Sequence, residues 1–253
     1  MIVNKLEPKQ ALKKEYLKIK PDRESIAAFK VELINLLDSI NEDESEEFNK
    51  EPIKNFFKKT GYGDRYFINT KDRSDLVIHN DNKPKSKVGV IFETKKPTKK
   101  SNAEMPKVDN LNAKAVQQLV LYFLQERKKH GNDAVKHLVV TNIYEWFIFD
   151  AEIFNRLFYR DKNLVNQYKD WEDKLLSDNR TDVFYKDIAK PAINEVINNI
   201  KFTHFDLRDY DKFLRNTSEQ GDRELVHLYK LLSPEHLLKI RLANDSNSLN
   251  TAY

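Results

Sequence analysis

The chain has 253 residues, of which 40% are hydrophobic and 33% charged, with a formal net charge of only +4. An apolar share of that size, arranged in periodic runs, supports one packed domain or a domain with a smaller appendage and argues against wholesale disorder, while the near-balanced charge leaves any nucleic-acid argument to local lysine clusters. With no cysteine and only five glycines, none of them in a phosphate-loop pattern, the sequence excludes disulfide frameworks, zinc ribbons, thiol catalysis and a Rossmann or Walker nucleotide site. It also has no serine in a nucleophile elbow and no HExxH.

Residues 1–20 are polar and lysine-rich and read as an arm without the apolar stretch of a secretory signal. No run approaches the roughly 20 apolar residues that span a bilayer, so a soluble, cytoplasmic protein without a membrane partner is expected. From Pro21 onward, Ile26, Phe29, Leu33, Leu36 and Leu37 recur at helical spacing. A second helix is expected within 44–59, with Ile53, Phe56 and Phe57 as its apolar face and Pro52 marking a kink or its true start. Short β-prone runs follow at 65–70, 74–80 and 88–96, the last two separated by the turn-forming NDNKPKS. A long amphipathic helix is expected at 109–130, then strands at 136–142 and 145–150 and another helix from Ala151. The uniformly apolar LVV of the first of these strands marks it as central.

This order predicts an α/β fold with a mixed central sheet flanked by helices. After about residue 160 the chain turns mostly helical and charged, with DIAKPAINEVINNI and RELVHLYKLL as its clearest helices. The expected division is a core over 1–160, including the N-terminal helices, and a helical extension or start of a connector over 161–253. The tail ANDSNSLNTAY is polar and carries no helix cap.

Two acids and a lysine stand out in the middle strands. Asp75 opens the run LVI, and Glu93 and Lys95 close the run VIF. Side chains alternate along a strand, so Glu93 and Lys95 share a face. A hairpin centred near Pro84 pairs 75 with 93, 77 with 91 and 79 with 89, which sets Asp75 opposite Glu93. Facing carboxylates repel, and a divalent cation offsets the repulsion; oxygen donors of this kind suit Mg²⁺, with Mn²⁺ as a substitute. A cation there polarises a phosphate and acidifies a water, while Lys95 orients that water or offsets charge on the phosphate. Thr94 faces the other way, but its carbonyl is a possible metal ligand. Spacing alone fits a solvated face with surface salt bridges equally well.

RSDLVIHN (73–80) followed by VGVIFETKKP (88–97), in an α-β-β-β-α-β order, resembles the PD-(D/E)xK nuclease superfamily, with Ser74 in place of the nominal proline. Together with KHLVVTNIYEWFIFDAEIF (136–154), these segments resemble the N-terminal nuclease region of bifunctional type IIG restriction–methylation enzymes, over most of the chain from about residue 12. The resemblance implies a restriction-endonuclease-like core, catalytic and metal-binding roles for Asp75, Glu93 and Lys95, and Mg²⁺-dependent hydrolysis of DNA phosphodiesters by metal-activated water. Double-stranded DNA is the implied partner. The chain has neither a glycine-rich S-adenosylmethionine loop nor an [NDS]PP[YF] motif, so a methyltransferase and a target-recognition domain are expected C-terminally or in trans. The chain then reads as the start of a longer enzyme or as a separate nuclease subunit. A non-catalytic DNA-binding or assembly module with a nuclease-like fold is the alternative function.

Further positions follow from phase. Gln118 and Tyr122 form Q-x-x-x-Y on one face of the long helix, similar to a substrate-contacting motif of RecB-like nucleases; an ordinary helix face is the plainer reading. Glu46 falls on the stripe of Ile53 and Phe57 if the helix runs through Pro52. An acid there is costly unless paired, which makes it a candidate metal ligand, with Glu47 as the competing choice and a frayed helix start as the plain alternative. Lys96, Lys99 and Lys100, in the loop 95–107, are candidate DNA-phosphate contacts, against a simple solvated loop. Tyr144, Trp146, Phe147 and Phe149 are assigned to packing, and His79 to a structural role.

Overall fold

A computed structural model describes residues 4–98, 103–216 and 219–240. Seven strands form one mixed sheet: β1 (Asn4–Leu6), β2 (Ile68–Lys71), β3 (Ser74–His79), β4 (Val88–Thr94), β5 (His137–Thr141), β6 (Glu145–Asp150) and β7 (Lys201–Asp206), in the order β1-β7-β6-β5-β4-β3-β2. The β1–β7 and β4–β5 pairs are parallel and the others antiparallel. The main helices are α1 (Arg23–Asp38), α2 (Lys50–Phe57), α3 (Lys114–Lys128), α4 (Lys162–Glu172), a continuous helical run α5 over 181–196, and α6 (Glu219–Leu231). Asp22 caps α1 by accepting from the Ser25 N–H at 2.7 Å. Among the described residues no helix is long and apolar enough to cross a membrane.

Strand alternation sorts the core into two layers. Val77, Ile91, Leu138, Val140, Phe147 and Phe149 face α3, α4 and α5, meeting Leu119, Phe123, Trp171 and Phe184. Leu76, Ile78, Val90, Phe92, Val139 and Trp146 face the opposite layer, where α1, α2 and α6 contribute Phe29, Leu33, Ile53, Phe57, Leu225 and Leu228. Phe57 joins that layer together, with ring centroids 5.2 Å from Phe92 and 6.1 Å from Trp146. The LVV strand β5 is the middle strand of the seven, as its unbroken apolar run predicts. The aromatics of β6 pack as expected, with Trp146, Phe147 and Phe149 fully buried.

Several expectations change. The N-terminal arm is not free: β1 pairs with β7, Leu12 and Tyr16 are buried, and the Tyr16 hydroxyl lies 2.8 Å from Ser233 Oγ. Lysines with long solvated stems dominate the arm's composition and mask two anchoring residues. The stretch beyond residue 160 is mostly helical, and it adds one unexpected strand, because KFTHFD forms β7 between β1 and β6. Sheet and core both draw on residues beyond 160, with β7 in the sheet and Trp171, Phe184 and Phe202 in the core. Arg65 closes a helical turn over 63–65, so β2 starts at Ile68 and not at residue 65 as expected. The β3–β4 register matches the expected pairing at Val77↔Ile91, but it slips by one before His79↔Val88. The slip leaves Gly89 as the extra residue, where a Cβ would lie 2.4 Å from Asn80 Oδ1 and 2.5 Å from Leu238 Cδ2.

Candidate functional site

Asp75 sits at the start of β3 and Glu93 near the end of β4, so the antiparallel register brings both to one end of the sheet on the α3 face. Carboxylate oxygens of Glu46, Asp75 and Glu93 lie within 4.8 Å of one another. Glu46 reaches this point from the turn before α2, which begins at Lys50. Glu46 therefore lies beside Asp75 and Glu93 from a turn and not from the expected helical stripe through Pro52. Glu47, the competing choice, bonds Lys50 and has a largely exposed side chain.

Each carboxylate is held differently. Asp75 Oδ2 accepts from the Thr94 N–H at 2.8 Å and the Thr94 hydroxyl at 3.1 Å, and Oδ1 lies 2.9 Å from Lys50 Nζ. Thr94 thus orients Asp75 instead of turning wholly to the other face. Glu93 is 1% exposed; its Oε1 accepts from Lys95 Nζ at 2.5 Å, and its Oε2 is buried without a hydrogen-bond partner. Burial first, and then the Asp75 charge, push the Glu93 carboxyl up to about 8 against the pull of Lys95. Lys95 also lies 3.3 Å from Glu46 Oε1 and 3.6 Å from Glu104 Oε2. Burial opposes its charge, but Glu93, Glu46 and Asp75 together outweigh burial and hold the ammonium above the ordinary lysine range.

Three further site residues were not visible in the sequence. Lys50 sits in the first turn of α2, ahead of its apolar residues, and Glu104 in the lysine-rich loop, so neither carries a signal of its own. Tyr185 arrives from α5, far along the chain, and lies beside Tyr122 and Glu93; burial foremost, and then the Glu93 charge, raise its hydroxyl to about 12. Gln118 and Tyr122 do share one face of α3, where Gln118 Nε2 donates to the Tyr122 hydroxyl at 3.3 Å. Burial, followed by the Glu93 charge, raises the Tyr122 hydroxyl strongly. Gln118 Oε1 is buried without a partner. Lys96 is half-buried beside the site, and Lys99 and Lys100 lie outside the described residues, as does the polar tail 243–253. His79 is structural as expected, its ring bonding Ser86 O at 2.7 Å and Asn69 Oδ1 at 2.9 Å.

The donor set fits a hard divalent cation: three convergent carboxylates, one with a buried oxygen left without a partner. A second grouping, Asp72, Glu126 and His130, fits less well. There Lys71 Nζ (2.6 Å) and Asn132 Nδ2 (2.7 Å) already occupy the Glu126 oxygens, and His130 Nε2 lies 2.8 Å from Asp72.

Fold and site together define an α/β protein with a carboxylate–lysine cluster at one end of a seven-stranded mixed sheet. The chain belongs to the family described as "Domain of unknown function (DUF7149)", whose model matches residues 6–245. Comparison with curated proteins and with solved structures gave no match.

Proposed function

We propose that this chain is a Mg²⁺-dependent DNA endonuclease domain with a restriction-endonuclease-like core, of the PD-(D/E)xK kind found in type IIG restriction enzymes. The observation that carries the reading is the convergence of Glu46, Asp75 and Glu93 with the Lys95 ammonium against Glu93. Glu46, Asp75 and Glu93 would hold the cation, which when bound polarises the scissile phosphate and acidifies a water. Thr94 fixes the Asp75 carboxylate by two hydrogen bonds. Lys95, pinned among Glu93, Glu46 and Glu104, presents a preorganised positive charge where charge develops on the phosphate. Gln118 and Tyr122 line the α3 side of the pocket, and Lys96, Lys99 and Lys100 are proposed phosphate contacts. A methyltransferase and a target-recognition domain, C-terminal or in trans, would supply sequence choice, since phosphate contacts position without specifying.

The test is cleavage of plasmid DNA by the chain, together with any downstream recognition region, in Mg²⁺ or Mn²⁺. Asp75→Ala is expected to abolish nicking, and Lys95→Ala to slow it by about 10²–10³-fold. Cleavage that survives both substitutions overturns the assignment. One observation favours a second reading, a non-catalytic DNA-binding or assembly module: Lys50 and Lys95 already pair Asp75 and Glu93. That reading expects salt-sensitive DNA binding indifferent to Mg²⁺ and to Glu93→Ala, so a metal titration separates the two.

A further inference from the structure

Arg73 lies two residues before Asp75, in the β2–β3 turn, and strand alternation continued backwards puts both on the α3 face with Val77. Its guanidinium stacks over the Trp171 ring at 5.1 Å and donates to Thr181 Oγ1 at 3.3 Å. Trp171 is buried, so the platform is fixed by the core. The residue itself is exposed, and no carboxylate among the described residues pairs with it. The neighbouring lysines differ on this point, because Lys50, Lys71 and Lys95 each hold a carboxylate. The charges of Glu93 and Arg73 act on the Tyr185 hydroxyl with opposite sign, Glu93 raising its value and Arg73 lowering it.

A planar cation held in place by stacking loses little freedom on binding, and its unused donors match two oxygens of one phosphate. We infer that Arg73 is a positioning residue that clamps a DNA backbone phosphate beside the carboxylate pocket, with α4 and α5 serving as its support. The inference rests on the nuclease reading, and it gives the helical extension a part in substrate placement. The clamp sets the register of the strand over Asp75 and Glu93 and reads no base.

The test is binding of a labelled DNA duplex by the full chain, followed by fluorescence anisotropy across a salt series without divalent metal. Arg73→Gln removes the charge and keeps a shorter, unbranched polar side chain, and Arg73→Lys keeps the charge without the planar stack. Arg73→Gln is expected to weaken binding about tenfold at low salt and to reduce the slope of log affinity against log salt by about one. Arg73→Lys is expected to keep the slope with weaker binding. Thermal unfolding of each variant is recorded in parallel, because a purely structural strut would lower stability and leave the salt slope untouched. A wild-type slope in Arg73→Gln overturns the clamp while leaving the nuclease reading standing. Absence of salt-dependent binding by the wild-type chain overturns both.

Discussion

Glu93 is the residue on which the pocket's chemistry turns. It is buried, its Oε2 has no hydrogen-bond partner, and burial with the Asp75 charge raises its carboxyl to about 8. A carboxyl whose folded value is raised adds stability at low pH and loses it as pH climbs through the folded value. Glu93 therefore contributes stability that falls between the ordinary carboxylate range and about pH 8. Above about pH 6.5, where the buried histidines no longer titrate, the metal-free chain is expected to become less stable as pH rises, and Glu93→Gln is expected to flatten that decline in denaturant titrations. Metal binding at the proposed site is expected to run the other way, since a ligating carboxylate must give up its proton. Calorimetric titration with Mg²⁺ or Mn²⁺ is expected to show affinity rising with pH toward about 8, with proton release that disappears in Glu93→Gln. That variant is expected to lose at least about 100-fold in affinity. Affinity that does not change with pH in the wild-type chain would remove Glu93 from the ligand set.

At the scale of elements, the β3–β4 hairpin decides whether the site exists, because a slip of one residue along its whole length would turn Asp75 from Glu93's face to the opposite layer. The irregularity at Gly89 confines the slip to the far end, leaving Leu76↔Phe92 and Val77↔Ile91 in register beside the acids. Gly89→Ala presses a methyl against Asn80 and the buried Leu238. It is expected to cost about 1–3 kcal/mol in chemical denaturation, and a loss of less than half that would show that the strand accommodates the methyl. Much of this hairpin was legible in the sequence, because LVIH and VIFE are short β-prone runs on either side of a polar turn. The helix around Pro52 was legible as an element but not in its start, since Asn49 offers no side-chain cap and the residues before it are mostly acidic. Strand β7 escaped because KFTHFD is brief and follows a helical run; only its partners on either side make it a strand. Lys50, Glu104 and Tyr185 escaped for a related reason, since each reaches the pocket through tertiary packing that leaves no local pattern.

Over the whole molecule, one segment ties distant parts of the chain together. The stretch 230–239 meets the N-terminal arm through Lys230 and Ser233, receives the Tyr62 hydroxyl on Leu232 O at 2.9 Å, and pairs Lys239 with Asp150 at 2.8 Å. Against the central strand, His137 Nδ1 bonds Leu237 O at 2.8 Å, and its ring lies 4.8 Å from that of His236. Burial, only partly offset by the Leu237 carbonyl, lowers His137 to about 4; burial and the neighbouring His137 also lower His236. A histidine whose folded value is depressed is neutral in the fold and protonated once unfolded, so its stabilisation is complete above about pH 6.5 and drains away as pH falls toward 4. For His137 alone the full drain is about 3 kcal/mol, at about 1.4 kcal/mol per pH unit. Denaturant titrations between those pH values are expected to show this slope, steepened by His236 and opposed by Glu93, so it is read in the Glu93→Gln background. His137→Gln removes one titrating ring while keeping a donor toward Leu237, so the variant is expected to lose stability less steeply on acidification even if it starts lower at neutral pH. An identical slope in the variant would mean that His137 protonates without leaving the fold, and that the 230–239 segment is not the acid-sensitive tie between the arm and the central sheet.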